Sequence, residues 1–232
     1  MKIIHDRDAR GATAIGWLDS KHTFSFGGFQ DPSRMGVSAL RVINEDRVIP
    51  GAGFGTHGHR DMEIFTYVVS GALAHKDSLG NGSVIRPGDI QLMTAGTGIQ
   101  HSEMNASKDE PVHFFQIWIQ PNATGHPAAY QQVEMPEGAG RGGFTPIVTP
   151  SGGDGKVSIH QDAVISIAKP SEGETVNADI RAGRKGFLQL IKGEVHLGGE
   201  TLRGGDGVEF NGGQQFAITA NTEAELMLFD LP

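Results

Sequence analysis

Apolar positions along the chain fall in short runs rather than in a helical stripe. The runs at 39–43, 64–69, 112–119, 187–191 and 225–231 are each as long as one strand. They are rich in β-branched and aromatic residues, which pack well on a pleated surface. No long stretch repeats with the 3.6-residue period of an amphipathic helix. Only 128–133 and 61–64 read as short helical turns. The predicted content is therefore many strands joined by tight turns, an all-β sandwich or jelly roll.

Composition strengthens this reading. Gly accounts for 34 of 232 residues, twice the usual ~7%. The glycines punctuate the apolar runs instead of forming one tract, as hairpin turns do. The proline- and glycine-rich window 134–155 reads as a connection, with one short strand predicted at 145–148. The halves on either side resemble each other faintly. A strand ending at Gly71 is followed by Gly88-Asp89, and one ending at Gly193 by Gly205-Asp206. Two similar β modules in tandem fit the length.

Charge and cysteine content narrow the chemistry. The formal net charge is −8 with no basic run, a poor match for direct nucleic-acid binding, which needs clustered Lys and Arg. With no cysteine there is no disulfide, thiolate metal site or Cys nucleophile. No apolar stretch is long enough for a signal peptide core or a membrane span, so a cytoplasmic location is expected. Neither a G-x-S-x-G elbow nor a P-loop occurs.

The chemistry gathers in the first half. His57 and His59 are spaced i, i+2, and so are His101 and Glu103. On a strand that spacing puts both members of a pair on one face. Two such strands inside a barrel would bring three imidazoles and a carboxylate together, a set suited to a divalent transition metal with open positions. Glu63 reads as a fifth ligand, an acceptor behind a ligand imidazole, or a structural residue, with direct ligation least favoured. His5, His22, His75, His113, His126, His160 and His196 show no paired spacing and are expected mostly at the surface or in turns. The second half has no H-x-H, so no second metal is expected there.

These residues resemble the cupin motifs. Gly51, His57, His59 and Glu63 follow the first motif, with Gly71 one residue late. Gly88, His101 and Asn105 follow the second, with Thr94 where proline is usual. The departures, together with GWLDS at 16–20, HTFSF at 22–26, GVSALRVIN at 36–44, TAGTGIQHSE at 94–103 and LFDL at 228–231, resemble the pirin family of bicupins. The resemblance is dense from about residue 10 to 120 and thinner afterwards.

It implies two cupin (jelly-roll β-barrel) domains: a metal-binding one at 1–133, a linker at 134–155, and a metal-free one at 156–232. It also implies one metal ion held by His57, His59, His101 and Glu103. Iron comes first, with nickel, cobalt, manganese, copper or zinc as alternatives. Some bacterial pirins resemble quercetin 2,3-dioxygenases. For this chain that implies a flavonol bound through its 3-hydroxyl, Glu103 as the base, dioxygen as co-substrate, and release of carbon monoxide with a depside. Phe54, Phe115, Ile117 and Trp118 are candidates for an apolar slot. Eukaryotic pirins resemble instead nuclear cofactors of transcription factors, and some bacterial relatives modulate metabolic enzymes. A metal-bearing regulatory protein with a protein partner is thus the alternative.

Overall fold

The computed structural model describes residues 2–232. Each half builds the same pair of sheets. In the first, a seven-stranded sheet runs in the order Ala129–Glu134, Asp89–Thr94, Glu63–Ser70, Val112–Ile119, Leu40–Val48, Leu18–His22, Gly11–Ile15. Its smaller partner has the order Gly53–His59, Ile99–Asn105, Leu73–Asp77, Gly82–Ile85. The second half repeats this with Lys2–His5, Gly207–Asn211, Lys185–Lys192, Glu225–Leu231, Val164–Ala168, Thr145–Thr149, Val157–Ser158 in the large sheet. Its small sheet has Thr175–Ile180, Gln214–Ala220, Glu194–Leu197, Glu200–Arg203. The chain is all-β, with two cupin-type barrels. A single 3-10 turn, Arg7–Ala9, is the one helical element among the described residues, so no helix there is long and apolar enough to cross a membrane.

Side-chain alternation explains the packing. Along Val112–Ile119, Phe114 joins the interior of the first barrel, while Phe115, Ile117 and Ile119 face away from it. Along Glu225–Leu231, Leu226 and Leu228 fill the second barrel, while Met227, Phe229 and Leu231 face out. The two large sheets meet through these outward residues and share one core with Ile43, Phe65, Ile147 and Ile165. Each such side chain removed from water contributes roughly 1.5–3 kcal/mol, so the contact between barrels is a core in its own right. Polar ties cross it as well. The buried Tyr67 hydroxyl donates to Glu225, and Ser38 donates to the Pro232 carbonyl at 2.6 Å.

One outermost strand crosses from the first half to the second. Ala129–Glu134 completes the first large sheet by pairing with Asp89–Thr94. The matching place in the second large sheet is filled from the far end of the chain, by Lys2–His5 on Gly207–Asn211. The faint repeat corresponds to real equivalence. Gly71 and Gly193 both end a large-sheet strand at positive φ, 78° and 84°. A Cβ at either would strike a backbone carbonyl, that of Pro111 at 2.6 Å or Glu223 at 2.4 Å.

Two local expectations are corrected. Residues 128–133 are not helical: Ala129–Glu134 is a strand that covers an otherwise open sheet edge. Residues 61–64 are a turn entering the strand Glu63–Ser70, with Asp61 at φ 48°. Asp61 accepts from the Gly125 amide at 2.7 Å, which steadies that backbone.

Candidate metal centre

The strands Gly53–His59 and Ile99–Asn105 are antiparallel neighbours, with His101 directly opposite His57 and Ile99 opposite His59. One bulge interrupts the pairing: Gly55 and Thr56 together oppose Ser102, so that Glu103 comes to face Phe54. Bulges re-aim side chains and are common beside functional sites. Gly55 also supplies the carbonyl that receives the His57 Nδ1–H at 2.8 Å. A carbonyl can only accept, so this bond fixes the tautomer and leaves Nε2 bare.

One nitrogen from each of His57, His59 and His101 lies within 4.8 Å of the others. His57 Nε2 and His101 Nε2 are 3.0 Å apart. Two nitrogens each ~2.1 Å from a common ion and at right angles to one another would be about 3.0 Å apart, so the spacing fits a shared ion. Protonation agrees. Burial, then the charge of His57, brings His59 down to about 4. Burial, then the charges of His57 and His59, brings His101 down to about 3. Both imidazoles are therefore neutral at pH 7, the form that ligates. These three residues could hold one divalent ion.

Behind them lies a support that the paired-spacing argument missed. Asp77 accepts from the backbone of Leu79 and Asn81, from the Asn81 side chain and from His75 Nε2, the last at 3.2 Å. His75 then presents a bare Nδ1 to His101 Nδ1 at 3.5 Å. The chain Asp77–His75–His101 thus orients the bare Nε2 of His101 toward the cluster, as a carboxylate–histidine pair orients a ligand in metal sites. His75 is buried and stacked on Tyr130. His5 and His22 are buried too, which corrects the expectation that such histidines sit mostly at the surface or in turns. His75 and Asp77 carry an i, i+2 signal of their own, which could have revealed them.

Glu103 is fully buried and receives the Gln116 amide on both oxygens, at 2.9 and 2.8 Å. Thr66 in turn donates to Gln116 Oε1 at 2.8 Å, which fixes the amide's orientation. Burial raises the Glu103 carboxyl to about 7 against the lowering effect of Gln116. Its oxygens group with His75 and His101, while the three imidazoles form a group of their own. The four residues named from the sequence reach one place as two overlapping groups joined at His101. Glu63 lies elsewhere. It accepts from Thr94 at 3.0 Å and from His160 at 3.2 Å, linking the two halves.

A cavity of about 350 Å³ opens beside the cluster, lined by His57, His59 and Glu103 together with Phe26, Phe54 and Trp118 and the polar Asn44, Asp46 and Gln116. Phe54 and Trp118 thus form walls as expected. Phe115 and Ile117 do not: the two-residue alternation turns them into the core between the barrels. The matching small sheet of the second barrel points Val176, Ala178, Ile180 and Ile218 inward, into an apolar interior with Val195 and Leu197. Among the described residues, no group of potential metal donors occurs there.

Two facing-sheet barrels, one polar and histidine-lined and one filled with aliphatic side chains, define a bicupin with a single candidate metal centre. The family model described as pirin matches residues 4–119, and that described as the quercetinase C-terminal cupin domain matches 146–231. The quercetin 2,3-dioxygenase of Escherichia coli K12 is 41% identical over 232 residues, covering 100% of this chain and 99% of its own. A pirin-like protein of Caulobacter vibrioides is 38% identical over 224 residues, covering 96% of each. The crystal structure of the Escherichia coli pirin YhhW in complex with nickel(II) superposes with a TM-score of 0.94 at 41% identity, covering 100% of this chain and 99% of that one. The chain belongs to the pirin family.

Proposed function

We propose that this protein is a metal-dependent dioxygenase that opens the central ring of a flavonol such as quercetin, releasing carbon monoxide and a depside. One observation carries the reading: of three imidazoles clustered within 4.8 Å of one another, His57 and His59 line a cavity walled by aromatic rings, and the buried Glu103 carboxylate lines it with them. His57, His59 and His101 hold one divalent transition ion, with Glu103 as the acidic member of the set. Nickel is bound by the homologous YhhW, and the donor set suits iron equally. The relatives named quercetin 2,3-dioxygenase support the substrate class and dioxygen as co-substrate.

The chain's own residues do the following. Phe26, Phe54 and Trp118 receive the flat ring system and keep water from it. Glu103 Oε takes the proton of the flavonol 3-hydroxyl. Its pKa near 7 suits a base that works at neutral pH. Gln116, steadied by Thr66, holds both carboxylate oxygens in place for that transfer. The bound ion supplies Lewis-acid stabilisation of the flavonolate and a template for dioxygen.

The test is anaerobic metal reconstitution, then quercetin turnover with carbon monoxide measured alongside, for wild type and Glu103→Gln. The expected result is one carbon monoxide per quercetin and a fall of roughly 10²–10⁴ in kcat for the variant, the range for loss of a general base, with metal content kept. Full metal occupancy without turnover in the wild type would refute the dioxygenase reading and favour a regulatory protein with a protein partner.

A further inference from the structure

One row on the inner face of the first large sheet is polar across four adjacent strands. His22 pairs with Asn44, Asn44 with Gln116, and Gln116 with Thr66. Ile43 and Ile117, next along the chain from members of this row, face the core between the barrels. Alternation therefore turns the row itself toward the barrel interior, where Asn44 and Gln116 line the cavity.

Both carboxamides of the row are pinned by their oxygens. Thr66 donates to Gln116 Oε1 at 2.8 Å, and the Gln116 NH2 group is committed to the Glu103 carboxylate. On the other side, His22 Nδ1 lies 2.8 Å from Asn44 Oδ1. An amide oxygen can only accept, so Nδ1 carries the proton, and the bare Nε2 accepts from the Thr13 hydroxyl at 2.9 Å. Burial keeps the His22 pKa below its usual value, against the opposing effect of Asn44, so the ring stays neutral in this tautomer. The two carboxamides differ in one respect. Asn44 Nδ2 has no partner among the described residues, and it is not among the unpaired polar atoms sealed from solvent. It is a donor of fixed orientation, open in the cavity wall, with nothing in the chain to donate to.

Its place gives the chemistry of its ligand. Cross-strand neighbours have Cβ atoms ~4.5–5.5 Å apart, so Asn44 stands one side chain away from the amide that holds Glu103. An oxygen held by Asn44 and an oxygen deprotonated by Glu103 therefore belong on adjacent carbons of one ligand: an acidic enol hydroxyl beside a carbonyl.

We infer that Asn44 is a further substrate-binding residue of this site, its Nδ2–H donating to the carbonyl oxygen beside the hydroxyl that Glu103 deprotonates. In a flavonol that oxygen is the 4-carbonyl, so the inference rests on the flavonol reading and deepens it. In the free flavonol the 3-hydroxyl donates to the 4-carbonyl. When the O–H bond breaks, the proton goes to Glu103 Oε, the electron pair stays on the 3-oxygen, and the carbonyl loses its donor. The Asn44 N–H takes over that role as a preorganised dipole, aimed where two oxygen lone pairs would otherwise face each other. The substrate class narrows to planar enols with a carbonyl beside the hydroxyl.

The test is equilibrium binding to the metal-reconstituted full chain without dioxygen, so that no turnover occurs. The probes are 3-hydroxyflavone, flavone, which keeps the carbonyl but lacks the 3-hydroxyl, and 2-phenylnaphthalene, which has the same ring outline and no oxygen. Asn44→Leu is expected to lose about five- to tenfold in affinity for the two carbonyl ligands, the equivalent of one hydrogen bond, and nothing for the hydrocarbon. His22→Phe keeps a ring beside Phe26 but frees the Asn44 amide to turn. It is expected to lose about threefold for the carbonyl ligands alone, and it tests the idea even if Asn44→Leu folds poorly. A loss shared by all three ligands, or a flavone affinity unchanged in both variants, would overturn the inference while leaving the dioxygenase reading intact. Failure of wild type to bind 3-hydroxyflavone would overturn both.

Discussion

Replacing Glu45 with Gln probes what holds the cavity wall in place. Glu45 lies on the strand Leu40–Val48, which also carries Asn44 and Asp46. Its buried carboxylate accepts from Arg10 and Arg47, each at 2.7 Å, and from His113 at 3.0 Å. Burial alone would raise its pKa. The bonds from His113 and Arg10 and the charges of Arg10 and Arg47 outweigh it and hold the carboxyl at about 2 instead of 4.5. That difference corresponds to ~3 kcal/mol of folding free energy at neutral pH. An independent route gives a similar figure. Arg10 is itself nearly buried, and removing one partner of a buried pair costs roughly 3–5 kcal/mol. The Arg47 arm, half exposed, adds little.

The sign follows from the direction of the shift. A lowered carboxyl stabilises the fold above its unfolded value of 4.5, and this contribution fades as pH falls toward 2. Urea unfolding of wild type and Glu45→Gln, both metal-free, is expected to differ by ~3 kcal/mol at pH 7 and by about half of that near pH 3. In thermal melts at pH 7 the gap is roughly 6–12 °C for a chain of this size. A difference below ~1 kcal/mol at pH 7, or one that does not shrink on acidification, would refute the reasoning.

Three further outcomes are expected. His57→Ala and His101→Ala should fold with unchanged circular dichroism, yet their metal content by mass spectrometry should fall from one equivalent to near zero; metal retained in both would remove these residues as ligands. Asp77→Asn should weaken metal binding about 10–100-fold in a competitive chelator titration, because it releases the pair His75–His101; unchanged affinity would show that this chain orients nothing. Gly53→Ala should lower metal occupancy with the chain still folded, since a Cβ there would lie 2.2 Å from the Glu103 carbonyl oxygen and 2.6 Å from Met104 Cα; full occupancy would mean that the two site strands tolerate being pushed apart.

Much of the architecture was legible because it depends on short-range chemistry. Glycines at obligatory turns and strand-length apolar runs are written locally, and the i, i+2 rule put His57 beside His59 and His101 beside Glu103 before any fold was known. What escaped notice depends on which face looks where. Phe115 and Ile117 read with Trp118 as apolar walls, although strict alternation separates them from it. They face the second barrel, a surface that no local pattern announces. The strand at 129–134 read as a helical turn because its burial comes from pairing with a distant edge, not from its own periodicity. The run Asn44-Glu45-Asp46-Arg47 reads as a solvated polar stretch, yet Asn44, Glu45 and Asp46 are all buried. The bulge at Gly55–Thr56, which brings Glu103 opposite Phe54, leaves no signal in the sequence.

The outer strand that crosses between the halves has a consequence for how the chain acquires its structure. Lys2–His5 pairs with Gly207–Asn211, so it has no place to dock until roughly 200 further residues have been made, which takes on the order of 10–40 s at ribosomal speed. The first barrel has no such wait: its own edge is closed by Ala129–Glu134, which leaves the ribosome soon after the strands it covers. The half that carries the candidate metal centre can thus be complete during synthesis, while the leading strand, with Ile3 and Ile4 outward, stays tethered and unpaired beside it. Docking of that strand closes the edge of the second large sheet, making it a late event that reports on completion of the whole molecule.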